Sequence, residues 1–262
     1  MKVGIIGAGN IGGSMIEGFV RSESVSNADL YVSDLAISRL QTLQQVYEEI
    51  NVTTSNVEVA RTADVLILAV KPWLVESVVE EILSEVKAKI VVSVAAGVDL
   101  AQLELLFEKS AKSIALFRMI PNTAIAIGKG VLTISYKHKL SDEAVEVEHL
   151  FAALGEVFVV PEKQLNAFMS LSSCGIAYAF RYIRAAVEGA VEMGIGAEVA
   201  QNVVAQTMIG AAELLQEKSS HPEVEIDKVT TPGGITIKGL NEMEANGFTS
   251  SVIKGLKASL IK

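Results

Sequence analysis

Residues 2–13 read KVGIIGAGNIGG, and this stretch decides the fold. The apolar run KVGII is followed at once by Gly7-Ala8-Gly9-Asn10-Ile11-Gly12, which matches the pattern G-x-G-x-x-G. The glycines of such a turn allow a tight bend, approach of the backbone to a diphosphate, and close packing of the next helix. The helix that begins there offers free N–H groups to the anion. The stretch predicts a cofactor-binding turn made by Gly7, Gly9, Asn10, Ile11 and Gly12; the alternative is a glycine turn without a ligand.

The first part of the chain alternates short apolar runs with helical patterns. Such alternation predicts parallel βαβ units, and runs that are apolar almost throughout indicate a sheet covered on both faces. We therefore expect a mostly parallel Rossmann-type domain over residues 1–161. The predicted helices cover 12–22, 36–49, 74–86, 99–109 and 141–153. The predicted strands are KVGIIG, DLYVSD, VLILAV, KIVVSVAA and SIALFRMI, and two more, GVLTISY and EVFVVP, extend the sheet.

After Pro161 the pattern changes. Apolar residues recur at helical spacing through 165–193 and 197–217, and shorter helices follow. This predicts an all-α dimerisation domain over residues 162–262. Its helices are apolar on more than one face, and a second copy of the chain is a natural partner for such faces.

Composition excludes several other classes of protein. The formal net charge is −9 and no cluster of Lys or Arg appears, which disfavours a nucleic-acid partner. The apolar runs are too short to span a bilayer, and the N-terminal stretch lacks the features of a signal peptide. Cys174 is the only cysteine, and the three histidines, His138, His149 and His221, are scattered. We expect no metal site, no membrane association and a cytoplasmic location.

The second predicted strand ends in Ser33-Asp34. Asp34 stands 22 residues after Gly12, where an acidic residue commonly binds the ribose hydroxyls of NAD. Asp34 could instead cap the next helix, and Arg39, one turn into that helix, could reach the 2′-phosphate of NADP. The residues favour NADH slightly and leave NADPH open.

Three further phrases follow later strands, where ligands of open parallel sheets bind. They include the candidate cofactor residues Ala69, Val70, Lys71 and Pro72, then Ala95, Ala96 and Gly97, then Pro121 and Asn122. Each phrase is also an ordinary strand-to-helix loop. As a set with the opening turn, AVKP, SVAAG and RMIPNT resemble the pyrroline-5-carboxylate reductase family.

The helical half extends this resemblance through SSCGIAY at 172–178 and VTTPGGIT at 229–236. The family has S-G-S-G-P-A-Y and V-T-S-P-G-G-T-T at these places. The resemblance implies that backbone N–H groups of both turns hold a substrate carboxylate, and that Thr236 hydrogen-bonds the ring nitrogen as the catalytic residue. The implied substrate-binding residues are Ser172, Ser173, Cys174, Gly175, Gly233, Gly234, Ile235 and Thr236. Thr236 could otherwise bond its own backbone.

The resemblance implies reduction of 1-pyrroline-5-carboxylate to L-proline, the last step of proline biosynthesis, with hydride from NADPH or NADH to the imine carbon. It also implies a homodimer that can assemble into a ring of dimers. The sequence departs from the family at Ser173, Cys174 and Ile176, and Arg184 replaces a glutamate that is usual there. Two alternatives therefore stay open. One is a paralogue that reduces another small imine or carbonyl acid, and the other is a non-catalytic dinucleotide-binding regulatory protein.

Overall fold

The computed structural model describes residues 1–86, 88, 90–110, 113–137 and 142–260. The predicted strand start at Lys89, the predicted helix start at Ser141, His138, and residues 261–262 of the predicted second domain lie outside the described residues. The chain forms two compact units. One spans Met1–Ser173 and includes Leu260, and the other spans Cys174–Ser259.

The first unit contains an eight-stranded sheet in the order β3-β2-β1-β4-β5-β6-β7-β8. Every neighbouring pair is parallel except β6–β7, which is antiparallel. The expectation of a mostly parallel Rossmann-type sheet is thus confirmed. The strands are β1 (Val3–Ile6), β2 (Leu30–Ser33), β3 (Asn51–Thr53), β4 (Val65–Leu68), β5 (Ile90–Ser93), β6 (Ala115–Pro121), β7 (Gly130–Ser135) and β8 (Gly155–Val159).

Helices cover both faces of this sheet, which explains why its central strands are apolar throughout. On β1, Val3 and Ile5 enter one buried cluster, while Ile6 enters the other. A Cβ at Gly4 would lie 2.7 Å from the Ala63 side chain, so the glycine lets a helix approach β1 closely. The helices of this unit are α1 (Asn10–Ser22), α2 (Ile37–Val46), α3 (Asn56–Thr62), α4 (Val75–Ile82), α5 (Leu100–Phe107), α6 (Asp142–Ala152) and α7 (Leu165–Phe168).

A π-helical turn, Met169–Ser173, follows α7 and completes the first unit. Leu165 and Met169 are buried in a small cluster with Ile120 of β6. This packing explains why the first unit extends past residue 161, where the sequence pattern changes. The predicted continuous helix over 165–193 is therefore interrupted by a wider turn.

The second unit is all-helical, as expected. Its helices leave many apolar side chains exposed, among them Phe180 and Val203, and only Val187, Ala190 and Ala200 form a buried cluster among the residues described. Such exposed apolar surface is typical of helices that associate with another chain. The helices are α8 (Gly175–Glu192), α9 (Ala197–Lys218), α10 (Pro222–Val229), α11 (Ile235–Ala245) and α12 (Phe248–Ala258).

Candidate active site

The glycine turn between β1 and α1 is shaped by contacts that only glycine permits. Gly7 has φ +100°, and a Cβ there would lie 2.7 Å from the Ala69 carbonyl oxygen. A Cβ at Gly12 would lie 2.0 Å from the Gly7 carbonyl oxygen. Gly9 differs, because its nearest neighbour would be Arg39 Nη1 at 3.9 Å. The space above Gly9 is therefore open.

Helix α1 begins directly after this open glycine. Gly9 is its N-cap and has no side-chain capping bond, and the first turn carries no acidic residue. The first N–H groups of a helix have no intrahelical partner, so they favour an anion at this end. The turn thus fits the diphosphate of a dinucleotide, in open space and with free donors.

A cleft of about 660 Å³ lies over this turn. Twelve of the sixteen predicted cofactor residues line it: Gly7, Gly9, Asn10, Ile11, Ser33, Asp34, Ala69, Val70, Lys71, Pro72, Ala95 and Ala96. The sequence did not predict a role for eight further lining residues, and it named the ninth, Arg39, only as an alternative phosphate contact. These nine are Ile6, Leu35, Arg39, Asn56, Leu74, Ser77, Val78, Glu81 and Val94.

Asp34 connects two turns at the edge of the cleft. Its Oδ2 accepts the Ala8 N–H at 2.8 Å, and its Oδ1 accepts the Ala36 N–H at 2.8 Å. Arg39 Nη1 lies 3.4 Å from the same carboxylate. The carboxylate thus bonds backbone at both oxygens and is paired with a cation that also lines the cleft. The N-cap position of α2 is occupied by Ala36, two residues later than the alternative role of Asp34 required.

A hydrogen-bonded chain of side chains forms another part of the wall. The buried Ser33 hydroxyl donates to Asn56 Oδ1 at 2.8 Å, and Asn56 Nδ2 donates to Glu81 Oε2 at 2.8 Å. These residues belong to β2, α3 and α4. Ser33 and Asn56 are 23 residues apart in sequence, and Asn56 and Glu81 are 25 apart. Their contact could have been predicted only from the expectation that the ends of these elements meet at one edge of the sheet.

Four predicted cofactor residues do not line the cleft. Gly12 is the third residue of α1 and is packed against the Gly7 carbonyl oxygen. Gly97 lies in a turn with φ +87°. Pro121 ends β6, where it pairs with Leu132. Asn122 is buried, and its side chain bonds the backbone of neighbouring segments.

The predicted substrate residues 172–175 follow the π-helical turn. Cys174 has helical backbone angles (φ −79°, ψ −36°) where α8 begins, so this segment continues the preceding helical turn. The Ser172 hydroxyl donates to the Phe168 carbonyl oxygen at 2.8 Å. The structure thus places Ser172 to Gly175 at a widened helical turn, which is a geometry often found at functional sites.

The predicted substrate residues 233–236 lie at the start of α11. Gly233 has φ +75°, and Gly234 is an N-cap without a side-chain capping bond. Ile235 and Thr236 occupy the first helical turn and are exposed. Within the described part of the chain, no hydrogen bond occupies the Thr236 hydroxyl, so its alternative bond to its own backbone is not formed there. The Gly234 N–H donates to the Thr231 carbonyl oxygen at 2.9 Å, so the groups left available to a ligand are the N–H groups of the first helical turn and the Thr236 hydroxyl.

Helix α10, which leads into this turn, is held at its N-terminus by the side chain of Glu225. The Lys228 ammonium and the Ser220 hydroxyl hydrogen-bond this carboxylate and hold its pKa below the usual range.

Arg184, the departure from the family noted on α8, pairs with Glu188 at 2.8 Å. Among the described residues, no group of three His, Cys, Asp or Glu side chains is placed to hold a metal ion. The helices of the described ranges include none long and apolar enough to cross a membrane.

The fold and the cleft define a class of proteins in which a Rossmann-type dinucleotide-binding domain precedes a helical domain. Residues 2–97 match the family model described as NADP oxidoreductase coenzyme F420-dependent. Residues 162–262 match the model described as pyrroline-5-carboxylate reductase dimerisation.

Individual proteins of known name are similar over nearly the whole chain. Pyrroline-5-carboxylate reductase of Synechocystis is 32% identical, covering 99% of this chain and 96% of that protein. Pyrroline-5-carboxylate reductase 1 of Dictyostelium discoideum is 36% identical over 98% of this chain, which spans about half (48%) of its length. The fold is that of the Plasmodium falciparum pyrroline carboxylate reductase solved with NADP bound, with a TM-score of 0.88, 24% identity, and coverage of 99% and 95% of the two chains. This chain belongs to the pyrroline-5-carboxylate reductase family, and the resemblance expected from its motifs is confirmed.

Proposed function

We propose that this protein reduces 1-pyrroline-5-carboxylate to L-proline with NADPH or NADH, the last step of proline biosynthesis. The observation that carries the proposal is the full-length similarity to reductases of that name, which includes both the cofactor half and the helical half. The protein is an NAD(P)H-dependent oxidoreductase, and the cleft over the glycine turn is where its residues fit the cofactor.

On the cofactor side, we assign the diphosphate to the N–H groups at the start of α1, above Gly9. The cations Arg39 and Lys71 line the same cleft and favour an anionic ligand. Asp34 lines this cleft too, and we assign it to a ribose hydroxyl, although both of its oxygens already accept backbone N–H groups. A carboxylate oxygen can accept more than one bond, so the ribose role and the structural role are compatible.

On the substrate side, the N–H groups at the start of α11 bind the carboxylate of the cyclic imine, because a helix N-terminus favours an anion. The chemistry that the reduced nicotinamide supplies when bound is a hydride for the imine carbon. The Thr236 hydroxyl accepts the N–H of the protonated imine and keeps the ring oriented. An imine that binds already protonated requires no strong general acid, which suits a site where the Thr236 hydroxyl is the proposed partner of the ring nitrogen.

We also propose a role for each domain, an assembly and a cellular location. Residues 1–161 hold the cofactor, and residues 162–262 bind the substrate and associate with a second copy. The exposed apolar side chains of α8 and α9 support self-association. We propose a homodimer, able to form a ring of dimers, that works in the cytoplasm.

A second candidate is a paralogue that reduces another small imine or carbonyl acid. The observation that favours it is Ser173, which carries a side chain where the family has glycine. Arg184 gives it less support, because Glu188 compensates its charge. The position of a substrate carboxylate near Ser173 would depend on how the π-helical turn is held.

The test is the purified protein with pyrroline-5-carboxylate, followed by loss of NADH or NADPH absorbance and by formation of proline. Proline formation with either cofactor is the expected result. Cofactor binding without oxidation would support a non-catalytic protein. Oxidation with other cyclic imines, but not with pyrroline-5-carboxylate, would support the paralogue.

A further inference from the structure

The side chain of Asn122 joins the end of β6 to the π-helical turn. Asn122 is 7% exposed. Its Oδ1 accepts the N–H groups of Ala124 at 3.2 Å and of Val131 at 3.3 Å. Its Nδ2 donates to the Ser172 carbonyl oxygen at 3.5 Å. Because two N–H groups face Oδ1, the amide can take only one orientation, with its NH₂ group toward Ser172.

The π-helical turn changes the hydrogen-bond pattern of the chain. Its bonds run from i to i+5 in place of i to i+4, so the pattern shifts where the turn joins the ordinary helices on either side. Two serine hydroxyls of the turn donate to carbonyl oxygens of α7: Ser172 to Phe168 at 2.8 Å and Ser170 to Asn166 at 3.3 Å. The Ser172 carbonyl oxygen differs, because its donor, Asn122, belongs to the loop that follows β6.

The turn is also fixed to the sheet on its apolar side. Met169 and Leu165 pack with Ile120, which lies two residues before Asn122. The segment leading to Ser172 therefore has an apolar attachment at its start and a polar attachment at its end. The polar one determines where the chain leaves the turn toward Ser173.

We propose that Asn122 is a positioning residue for substrate: its amide holds the Ser172 carbonyl and thereby places the backbone of Ser173 to Gly175 for the substrate carboxylate. This inference rests on the proposed function, because the ligand that the turn would bind is the substrate of that reaction. It gives Asn122 a role other than the cofactor contact predicted from the sequence. The absence of Asn122 from the lining of the cofactor cleft, within the described residues, supports that change.

The test compares two substitutions at this position with a matched control. Asn122→Asp keeps the size of the side chain but turns an oxygen toward the Ser172 carbonyl. Asn122→Ser keeps a capping acceptor for Ala124, as serine is a good N-cap, but is too short to reach Ser172. Asn27→Asp makes the same chemical change at a distant amide, which donates to the Glu48 carbonyl oxygen.

We expect Asn122→Asp to raise KM for pyrroline-5-carboxylate about tenfold, because a hydrogen bond is replaced by a repulsion. Asn122→Ser should raise this KM about threefold, since it loses the bond to Ser172 and shortens the acceptor used by Val131 but introduces no repulsion. The dissociation constants of NADPH and NADH, measured by fluorescence titration without substrate, should stay within about twofold in both variants. Asn27→Asp should change neither quantity. A merely destabilised protein would not separate KM from cofactor affinity in this way.

Cys174 supplies a readout that does not depend on the substrate. It is the only cysteine and follows the π-helical turn directly. Its rate of alkylation should rise at least about threefold in Asn122→Asp, because the turn opens more often. If wild type does not reduce pyrroline-5-carboxylate, the proposed function fails, and the alkylation rates still decide whether Asn122 holds the turn.

Two results would overturn the inference. The first is a loss of cofactor affinity with KM unchanged, which would make Asn122 a cofactor contact. The second is an unchanged alkylation rate in both Asn122 variants. Should Asn122→Asp not fold, Asn122→Ser decides with the same measurements.

Discussion

The glycine-bearing turn before α1 and the one before α11 are built for different reasons. At the first, Gly7 and Gly12 are surrounded by backbone, so that a Cβ at either would lie within 2.7 Å of a carbonyl oxygen. At the second, Gly233 has φ +75°, but a Cβ there would have nothing within 4 Å, and one at Gly234 would meet only Thr231. The first turn is set by packing inside its own unit, whereas the second is set by local backbone geometry.

This difference separates stability from ligand binding. Gly7 and Gly12 of the first turn cannot be replaced without moving β1 and α1, so these two glycines are structural as well as functional. The second turn is exposed, and its unit would keep its helices if the turn were altered. Substitutions at Gly7 or Gly12 should therefore lower the stability of the protein, whereas substitutions in the second turn should affect ligand binding.

The largest effect is expected from Gly12→Val. Its side chain would enter space held by the Gly7 carbonyl oxygen, 2.0 Å from the Cβ position. Overpacking of this kind costs about 3 kcal/mol or more when backbone must move. We expect a large fall in the melting temperature, measured by circular dichroism, and no cofactor binding. The matched control is Gly13→Ala, whose Cβ would have its nearest contact at 3.7 Å; it should gain up to about 1 kcal/mol from helix propensity. Equal melting temperatures for the two variants would show that the first turn is not packed as described.

Gly9→Val should damage the cofactor site without unfolding the protein. Gly9 has ordinary extended angles (φ −66°, ψ −161°), and its Cβ would lie 3.9 Å from the nearest atom, Arg39 Nη1. Valine would fill the space above the turn where the diphosphate approaches. We expect cofactor dissociation constants to rise about 100-fold, with melting within a few degrees of wild type. Gly9→Ala should give an intermediate loss, and full affinity in Gly9→Val would remove the diphosphate from this turn.

The strands were the most predictable part of the fold, and they show why the rest was harder. Runs such as VLILAV are buried on both faces, so a continuous apolar run is enough to predict the strand. The bounds are less exact, because β4 ends at Leu68, two residues earlier than the run. Strand β3 has only three residues, all partly buried, and gives no apolar run. The π-helical turn was hidden because its apolar spacing continues that of the helices on either side.

The cofactor site was predictable where its residues lie in the loops that follow the strands. Gly9, Lys71 and Ala96 each lie three residues after the end of a strand, and all line the cleft. Asn56 and Glu81 were not predicted, since they reach the cleft through a hydrogen-bond chain that begins at Ser33. Asn122 follows a strand too, yet its amide turns to the backbone. Position at a strand end predicts proximity to a site, but it does not predict where a side chain points.

Thr236→Val tests the chemical role of the second turn. The two side chains have similar shape, and the Thr236 hydroxyl makes no bond within the described residues that valine would remove. If the hydroxyl binds the protonated imine, its loss removes a bond to a charged group. We expect kcat/KM to fall about 30-fold, with cofactor affinity and melting temperature unchanged. Thr249→Val is the control, because Thr249 is also the second residue of a helix in the same unit; its hydroxyl donates to Glu244 Oε2 at 2.7 Å, so this variant loses a hydrogen bond outside the proposed site and should keep kcat/KM. A matching loss of cofactor affinity would take Thr236 away from the substrate.

Gly233→Ala should have the smallest effect, and it isolates the backbone geometry of the second turn. Alanine at φ +75° is strained by about 1–2 kcal/mol, although no neighbour would be displaced. The turn would relax, so the N–H groups at the start of α11 would move relative to a bound carboxylate. We expect KM for pyrroline-5-carboxylate to rise about threefold while kcat changes little. Gly239→Ala, in the middle of α11 with nothing within 4 Å, should be neutral or slightly stabilising. A large loss of melting temperature in Gly233→Ala would show that this turn, like the first, is held by packing, and the contrast between the two turns would disappear.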